Sequence, residues 1–292
     1  GLRLMRLARQ CGENGFTPSL ACIFGAKFNA ERIQKIAPER IYAELTMLLH
    51  ADEKHGIRYG HYDGLELLKG TDVLRYILPE LAAGDGMAQR RDFHAHDHDV
   101  LEHSLRAVKY ADGRVRLAAL LHDAGKPYCF LKTGRFHGHD AEGARIGREI
   151  LERLKAPKKL TETCVRLIGA HMYDLDGKAK ENKVRAFIAK NHDIYDLLLL
   201  VKQADYSACK DDLNVCPTIT KWENIRKKML AEGAPFTLKD LKIGGNDLKG
   251  LFPPEKIGEA LATLMRECVY DGSKNERGKL LEAAKRLAAK EN

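Results

Sequence analysis

The sequence predicts an all-α protein with at most one small hairpin, and three observations carry that reading. Apolar residues recur at three- and four-residue spacing along most of the chain. Proline and capping residues open such runs, at Thr17-Pro18-Ser19 and at Pro38-Glu39. The first ninety residues hold hardly any strand-like alternation. At 292 residues, 44% of them hydrophobic, the chain can bury one large core or two modest ones. A net charge of +8 suits a polyanionic partner, but ordinary globular proteins also reach it. Seven cysteines without a C-x-x-C pair read as reduced thiols, not as a disulfide frame or a zinc ribbon. No run approaches a membrane span and no signal-like segment opens the chain, so a cytoplasmic protein without a membrane partner is expected.

Taken in order, the first helix carries Leu2, Arg3, Leu4, Met5, Arg6 and Leu7 and stops at Gly12. The second runs through Leu20, Ile23, Phe24 and Phe28, with Pro18 read as its first helical position. A third follows Pro38 through Ile41, Leu45, Leu48 and Leu49 on one face, then a short helix lies between Gly64 and Gly70 and another over Val73–Leu81. The stretch from Ala82 to Asp99 is rich in glycine and charge and reads as a linker. His94, His96 and His98 within it read as polar linker residues.

Leu2-Arg3-Leu4-Met5-Arg6, Gly15-Phe16-Thr17, Ile36-Ala37-Pro38-Glu39-Arg40-Ile41 and Ile77-Leu78-Pro79-Glu80-Leu81 resemble, in order, the neck and body of bacterial CCA-adding enzymes and poly(A) polymerases. The resemblance implies that residues 1–90 form a helical, RNA-binding-like module. It also implies that Arg3 stands at the arginine of the motif that templates the incoming nucleotide. The family's catalytic head would precede Gly1, and nucleotide addition is therefore not expected from this chain alone. By themselves, Arg3 and Arg6 also fit the solvated face of an amphipathic helix.

Beyond the linker, Asp99 opens a helix bearing His103, and the apolar run Arg116–Leu121 ends in His122-Asp123-Ala124-Gly125-Lys126. Adjacent imidazole and carboxylate groups leave a helix about 100° apart and can converge on an ion beyond its end. Gly125 is expected to supply a left-handed stop, and Lys126 to place a cation where a phosphate would sit. Tyr128-Cys129-Phe130-Leu131, a Lys132-Thr133-Gly134 turn and Arg135–His139 alternate as a hairpin would, returning His139 toward the same place. A helix then runs from His139 to Leu154, the next carries His171 near its C-terminal end, and Asp205 continues the apolar face of Ile194, Leu197, Leu198 and Val201. Singly these have plain explanations: a satisfied core histidine for His103, a helix cap for His171, a surface carboxylate for Asp205.

Their joint order, His103, His122-Asp123, His139, His171 and Asp205, resembles the HD superfamily of metal-dependent phosphohydrolases. That resemblance implies one divalent ion on His103, His122, Asp123 and Asp205, and a second involving His139 and His171 with Asp123 bridging. Such donors suit Mn, Fe, Co, Ni or Zn, and Mg can also act there; the sequence does not choose. The expected chemistry is hydrolysis of a phosphomonoester or a 2′,3′-cyclic phosphate, with His122, Asp123 and Lys126 as the catalytic group. Lys126, Lys132 and Arg135 either offset phosphate charge or form a solvated basic face.

Past Asp205, Trp222, Ile225 and Met229 mark a helix, and the glycine-rich Gly244–Gly250 precedes two more, which resembles the tail of the same nucleotidyltransferases. Arg277, Lys279, Lys285 and Arg286 on the last helix could track an RNA backbone, although Glu276 and Glu282 fit a mixed solvated face equally well. The expected organisation is a neck/body module over 1–90, an HD domain over 91–210 and a helical tail over 211–292. Expected partners are tRNA or another RNA, a phosphoester substrate and a separate nucleotidyltransferase head.

Overall fold

The computed structural model describes residues 1–89 and 98–291, so His94 and His96 lie outside the described residues. Within them the structure is all-α, with no strand. In chain order the helices are α1 (Leu2–Asn14), α2 (Leu20–Phe28), α3 (Pro38–Leu49), α4 (Ala51–His55), α5 (Gly60–Gly70), α6 (Val73–Ile77), α7 (Pro79–Ala82) and α8 (Val100–Tyr110). They continue with α9 (Arg116–Leu121), α10 (Lys126–Thr133), α11 (His139–Arg153), α12 (Lys158–Ala170), α13 (Glu181–Lys190) and α14 (Tyr195–Lys210). The last are α15 (Pro217–Ala231), α16 (Ile257–Tyr270) and α17 (Arg277–Glu291). No helix among the described residues is long and apolar enough to cross a membrane.

Local chemistry sets most boundaries. Ser19 caps α2 by accepting from the Cys22 amide at 3.3 Å, so Pro18 lies just outside the helix and not at its first position. The helix expected over Val73–Leu81 is two, α6 and α7, because Pro79 lacks an N–H and disfavours helical geometry at Leu78. The expected hairpin is a helix instead. Pro127 occupies the first turn of α10, where its missing N–H removes no bond, and Tyr128–Leu131 continue that helix. Gly134 closes it at φ 68°, its amide donating to the Phe130 carbonyl at 2.7 Å.

The chain divides into two compact units, one of Gly1–Tyr173 with Leu197–Cys216, the other of Asp174–Asp196 with the chain from Pro217 onward. In the first unit, α1 packs on α3, α4 and α5, α5 on α8, α8 on α9, α9 on α12, and α11 on both α10 and α12. Fully buried Leu45, Leu48, Leu65, Leu68, Leu105, Leu120, Leu121 and Ile168 fill these contacts. Arg116, at the start of α9, is buried. It donates to the Leu49 carbonyl at 2.6 Å and bidentately to Asp52 at 2.7 Å, which fixes the helix leading to His122 and Asp123.

The second unit has its own core of Leu241, Ile243, Leu248, Phe252, Leu264, Cys268 and Leu280. Buried Trp222 donates from Nε1 to Asp174 at 3.0 Å, and buried Arg185 donates to the Val269 carbonyl at 2.8 Å.

Where α5 meets α8, Glu102 accepts from Tyr62 Oη and Lys69 Nζ, each at 2.9 Å, leaving the neighbouring Glu66 with a buried, unbonded Oε1. Burial, and then the charge of Glu102, push the Glu66 carboxyl up to about 7. The folded chain therefore holds a proton that the unfolded chain releases above its ordinary value of 4.5. Stability from this group falls as pH rises through about 7. Glu66→Gln is expected to flatten that fall. Melting temperatures from pH 5 to 8 check it, and equal slopes for both proteins would contradict it.

Candidate metal centre

Three histidines of the cluster arrive at helix ends, and these three are oriented by the same short contact. His122 follows the last residue of α9, His139 opens α11 and His171 follows α12. Their Nδ1 atoms lie 2.6, 2.8 and 2.6 Å from the carbonyls of Ala119, Phe136 and Ile168, each three residues earlier. A carbonyl only accepts, so each Nδ1 carries the proton and each Nε2 is turned inward as the donor atom. His103, within α8, and Asp205, within α14, complete the group, with Asp123 next to His122.

The distances are short enough for one site. His103 Nε2 lies 2.9 Å from Asp205 Oδ1 and 3.3 Å from His122 Nε2, and His122 Nε2 lies 3.5 Å from Asp205 Oδ1. Asp123 faces both ways. Its Oδ2 stands 3.3 Å from His122 and 3.6 Å from His103, while its Oδ1 stands 3.2 Å from His139 and 3.8 Å from His171. Two overlapping triads, His103–His122–Asp205 and His122–Asp123–His171, have donor atoms within 4.8 Å of one another. All six predicted ligands are thus brought together.

The donor set fits a divalent cation, and the unmade bonds say so. His139 Nε2, His171 Nε2 and Asp123 Oδ1 are buried without a hydrogen bond, although such groups are costly to leave unmatched. Imidazole nitrogens with carboxylate oxygens are the ligands of a borderline transition ion.

Charge is compensated internally as well. Burial opposes a charge on His122, but Asp123 and Asp205 outweigh it and push the imidazole up to about 10. Burial resists ionisation of Asp123 too, yet His122 and Lys126 hold its carboxyl well below the usual range. Asp205 is held low against burial by His103 and His122. Burial, then the charge of His122, push His171 down to about 3.

Two local expectations are revised. Gly125 has φ −78°, not the left-handed region, and what it provides is room: a Cβ there would lie 2.3 Å from the His139 carbonyl oxygen and 2.5 Å from the Gly143 nitrogen. The bare backbone lets α11 bring His139 up to Asp123. Lys126 is buried rather than turned to solvent, its Nζ 2.6 Å from Asp123 Oδ2 and donating at 2.6 Å to Gln89 Oε1. Gln89 was not legible as a site residue. It stands in the glycine-rich stretch with no motif around it, yet it is buried and also donates to the Asp99 carbonyl at 3.2 Å.

The predicted RNA-contacting residues are scattered and mostly engaged. Arg3 is exposed, and Arg6 pairs with Glu44 at 2.7 Å. Lys132 and Arg135 are exposed on α10 and the loop after it, Lys132 Nζ 5.7 Å from the Tyr128 ring centre. In the second unit, Arg277 pairs with Asp247 at 2.6 Å and Lys279 with Glu276 at 2.9 Å.

Comparison with known proteins agrees with this geometry. Residues 100–208 match the family model for the HD domain, a span that includes every residue of the cluster. The chain carries an HD domain. Residues 26–84 match the family described as "Probable RNA and SrmB- binding site of polymerase A". The chain is 31% identical over 257 residues to the A-adding tRNA nucleotidyltransferase of Deinococcus radiodurans, covering 82% of this chain and 56% of that protein. It is 30% identical over 242 residues to the CC-adding tRNA nucleotidyltransferase of Thermus thermophilus, covering 78% and 52%. It thus spans about half the length of these curated relatives.

Because folding alone leaves donor atoms of the His/Asp cluster unmatched, Mn²⁺ or Ni²⁺ is expected to raise the melting temperature in a concentration-dependent way. Asp123→Ala should abolish the rise. Thermal scans with and without chelator check this, and an unchanged shift in the variant would contradict it.

Proposed function

We propose that the chain is a divalent-metal-dependent phosphohydrolase acting on a phosphomonoester or a 2′,3′-cyclic phosphate, within a protein that handles tRNA or another RNA. The observation that carries this is Asp123, whose two oxygens face different histidine pairs, Oδ1 toward His139 and His171 and Oδ2 toward His103 and His122. His103, His122, Asp123 and Asp205 would hold one ion, and His139 and His171, with Asp123 shared, a second. A bound divalent ion supplies Lewis acidity, lowering the pKa of water and offsetting phosphate charge.

The residues do the rest. The carbonyls of Ala119, Phe136 and Ile168 fix the imidazole tautomers, and Lys126 holds the Asp123 carboxylate ionised and in place. Gln89 in turn holds Lys126. Lys132 and Arg135 are the exposed cations available to a phosphate on α10 and its following loop. In this reading the HD region takes in 91–210, the RNA-binding body 1–90 and the tail 211–292. A separate nucleotidyltransferase head and a cytoplasmic location accord with relatives named for tRNA nucleotidyl transfer.

A second reading has its own support. His103, His122, Asp123 and His171 are almost wholly buried, as the ligands of a structural ion would be, leaving the chain as an RNA-binding body. Asp123→Ala separates the two. For a hydrolase, the variant loses cleavage of a cyclic phosphate in Mn²⁺ or Ni²⁺ while tRNA affinity, carried by remote cations, stays within about twofold. For a structural ion, melting temperature and tRNA affinity fall together and the unaltered protein cleaves nothing.

A further inference from the structure

We propose that α2 is a self-association face, pairing antiparallel with the α2 of a second copy of this chain through Leu20, Phe24 and Phe28. Nine residues make a helix too short to persist in water by itself, so such helices normally hold their shape by burying an apolar face. Here that face points outward. Ala26 is the one buried residue of α2, which packs on the 3₁₀ turn Ala30–Lys35, whereas Leu20, Phe24 and Phe28 are 70%, 67% and 88% exposed. At four-residue spacing these three side chains form a single ridge along the helix. Phe16, exposed in the segment leading into α2, adds to the apolar surface at its N-terminal end.

Charge, shape and area all point to a second copy as the occupant. Lys27 is the only charged residue of α2, and its Nζ pairs with Asp72 at 3.2 Å. An RNA backbone or an anionic bilayer would need cations on this face. Beside the ridge runs a groove. Ala21 and Gly25 are exposed and four residues apart, and a Cβ at Gly25 would meet no neighbouring heavy atom within 4 Å. A ridge flanked by a groove on one helix is complementary to itself about a two-fold axis, so Phe24 of each copy can seat against Gly25 of the other. Antiparallel pairing also sets each helix's C-terminal end beside the other's N-terminal end, where the two dipoles attract. Covering Phe16, Leu20, Phe24 and Phe28 on both copies would remove on the order of 1,000 Å² of apolar surface from water, the size at which specific interfaces begin.

Sedimentation equilibrium of the full chain from about 1 to 100 µM tests the pairing, with the dimer expected to predominate above about 10 µM. Phe24→Asp is expected to weaken association about a hundredfold. Because Phe24 is exposed in the single chain, the melting temperature of dilute protein should hardly change. Gly25→Leu supplies the second arm. It adds apolar surface yet fills the groove, so association should weaken about tenfold. Tighter association in Gly25→Leu would mean indiscriminate apolar contact and would overturn the pairing. A chain that stays monomeric throughout, or a dimer indifferent to Phe24→Asp, would overturn it as well. So would a monomer that floats with phosphatidylcholine vesicles and ceases to do so in Phe24→Asp, which would give the face to lipid.

Discussion

A carboxylate with almost no solvent contact is the constraint around which the first unit is arranged. Asp123 is 1% exposed, and an ionised carboxyl so placed is tolerable only where cations or donors surround it. Four imidazoles and one ammonium do so. The short apolar helix before His122 is pinned by Arg116, α11 comes close because Gly125 lacks a side chain, and Lys126 is clamped by Gln89. Even so, Asp123 Oδ1 and two imidazole nitrogens keep unmade bonds. That residue of unmet bonding is what distinguishes a ligand set from a buried polar network, which proteins ordinarily satisfy in full.

Preorganisation follows from the same devices. A histidine whose Nδ1 is committed to a carbonyl has its tautomer and ring plane set before any ion arrives, so binding costs less ordering than it would for a free side chain. The carbonyls used are those three residues earlier, which for His122 and His171 belong to the last turn of the helix they follow and lack a complete set of helical partners. One contact therefore both caps the helix and aims the ligand. The plain reading of His171 as a helix cap and its reading as a ligand describe the same geometry.

What was legible in the sequence, and what was not, divides along physical lines. His122-Asp123 stood out because an apolar run ended in groups that packing does not require, and Asp205 because it continued an apolar face. The elements bearing His103 and His171 followed from helical periodicity. So did the helix that His139 opens, whereas the segment before it did not. Tyr128–Leu131 suits a strand by alternation and a helix by composition, and the deciding signal was Pro127, a helix-start residue, with Gly134 as the stop. Gly125 was misread because glycine serves both positive φ and close approach, and only the neighbouring backbone distinguishes them. Gln89 and the burial of Lys126 depend on contacts between segments far apart in sequence, which no local pattern encodes. The basic residues of the last helix are partly engaged with acidic neighbours, as their mixed pattern allowed.

The central claim is that the buried Asp123 carboxylate is a metal ligand shared between two imidazole pairs. Anomalous diffraction at the Mn or Ni edge, from crystals grown with that ion, tests it most directly. The account predicts anomalous density at about 2.0 to 2.4 Å from Asp123 oxygen and from the inward Nε2 of His122. Metal bound elsewhere on the chain, with no density at Asp123, would contradict it.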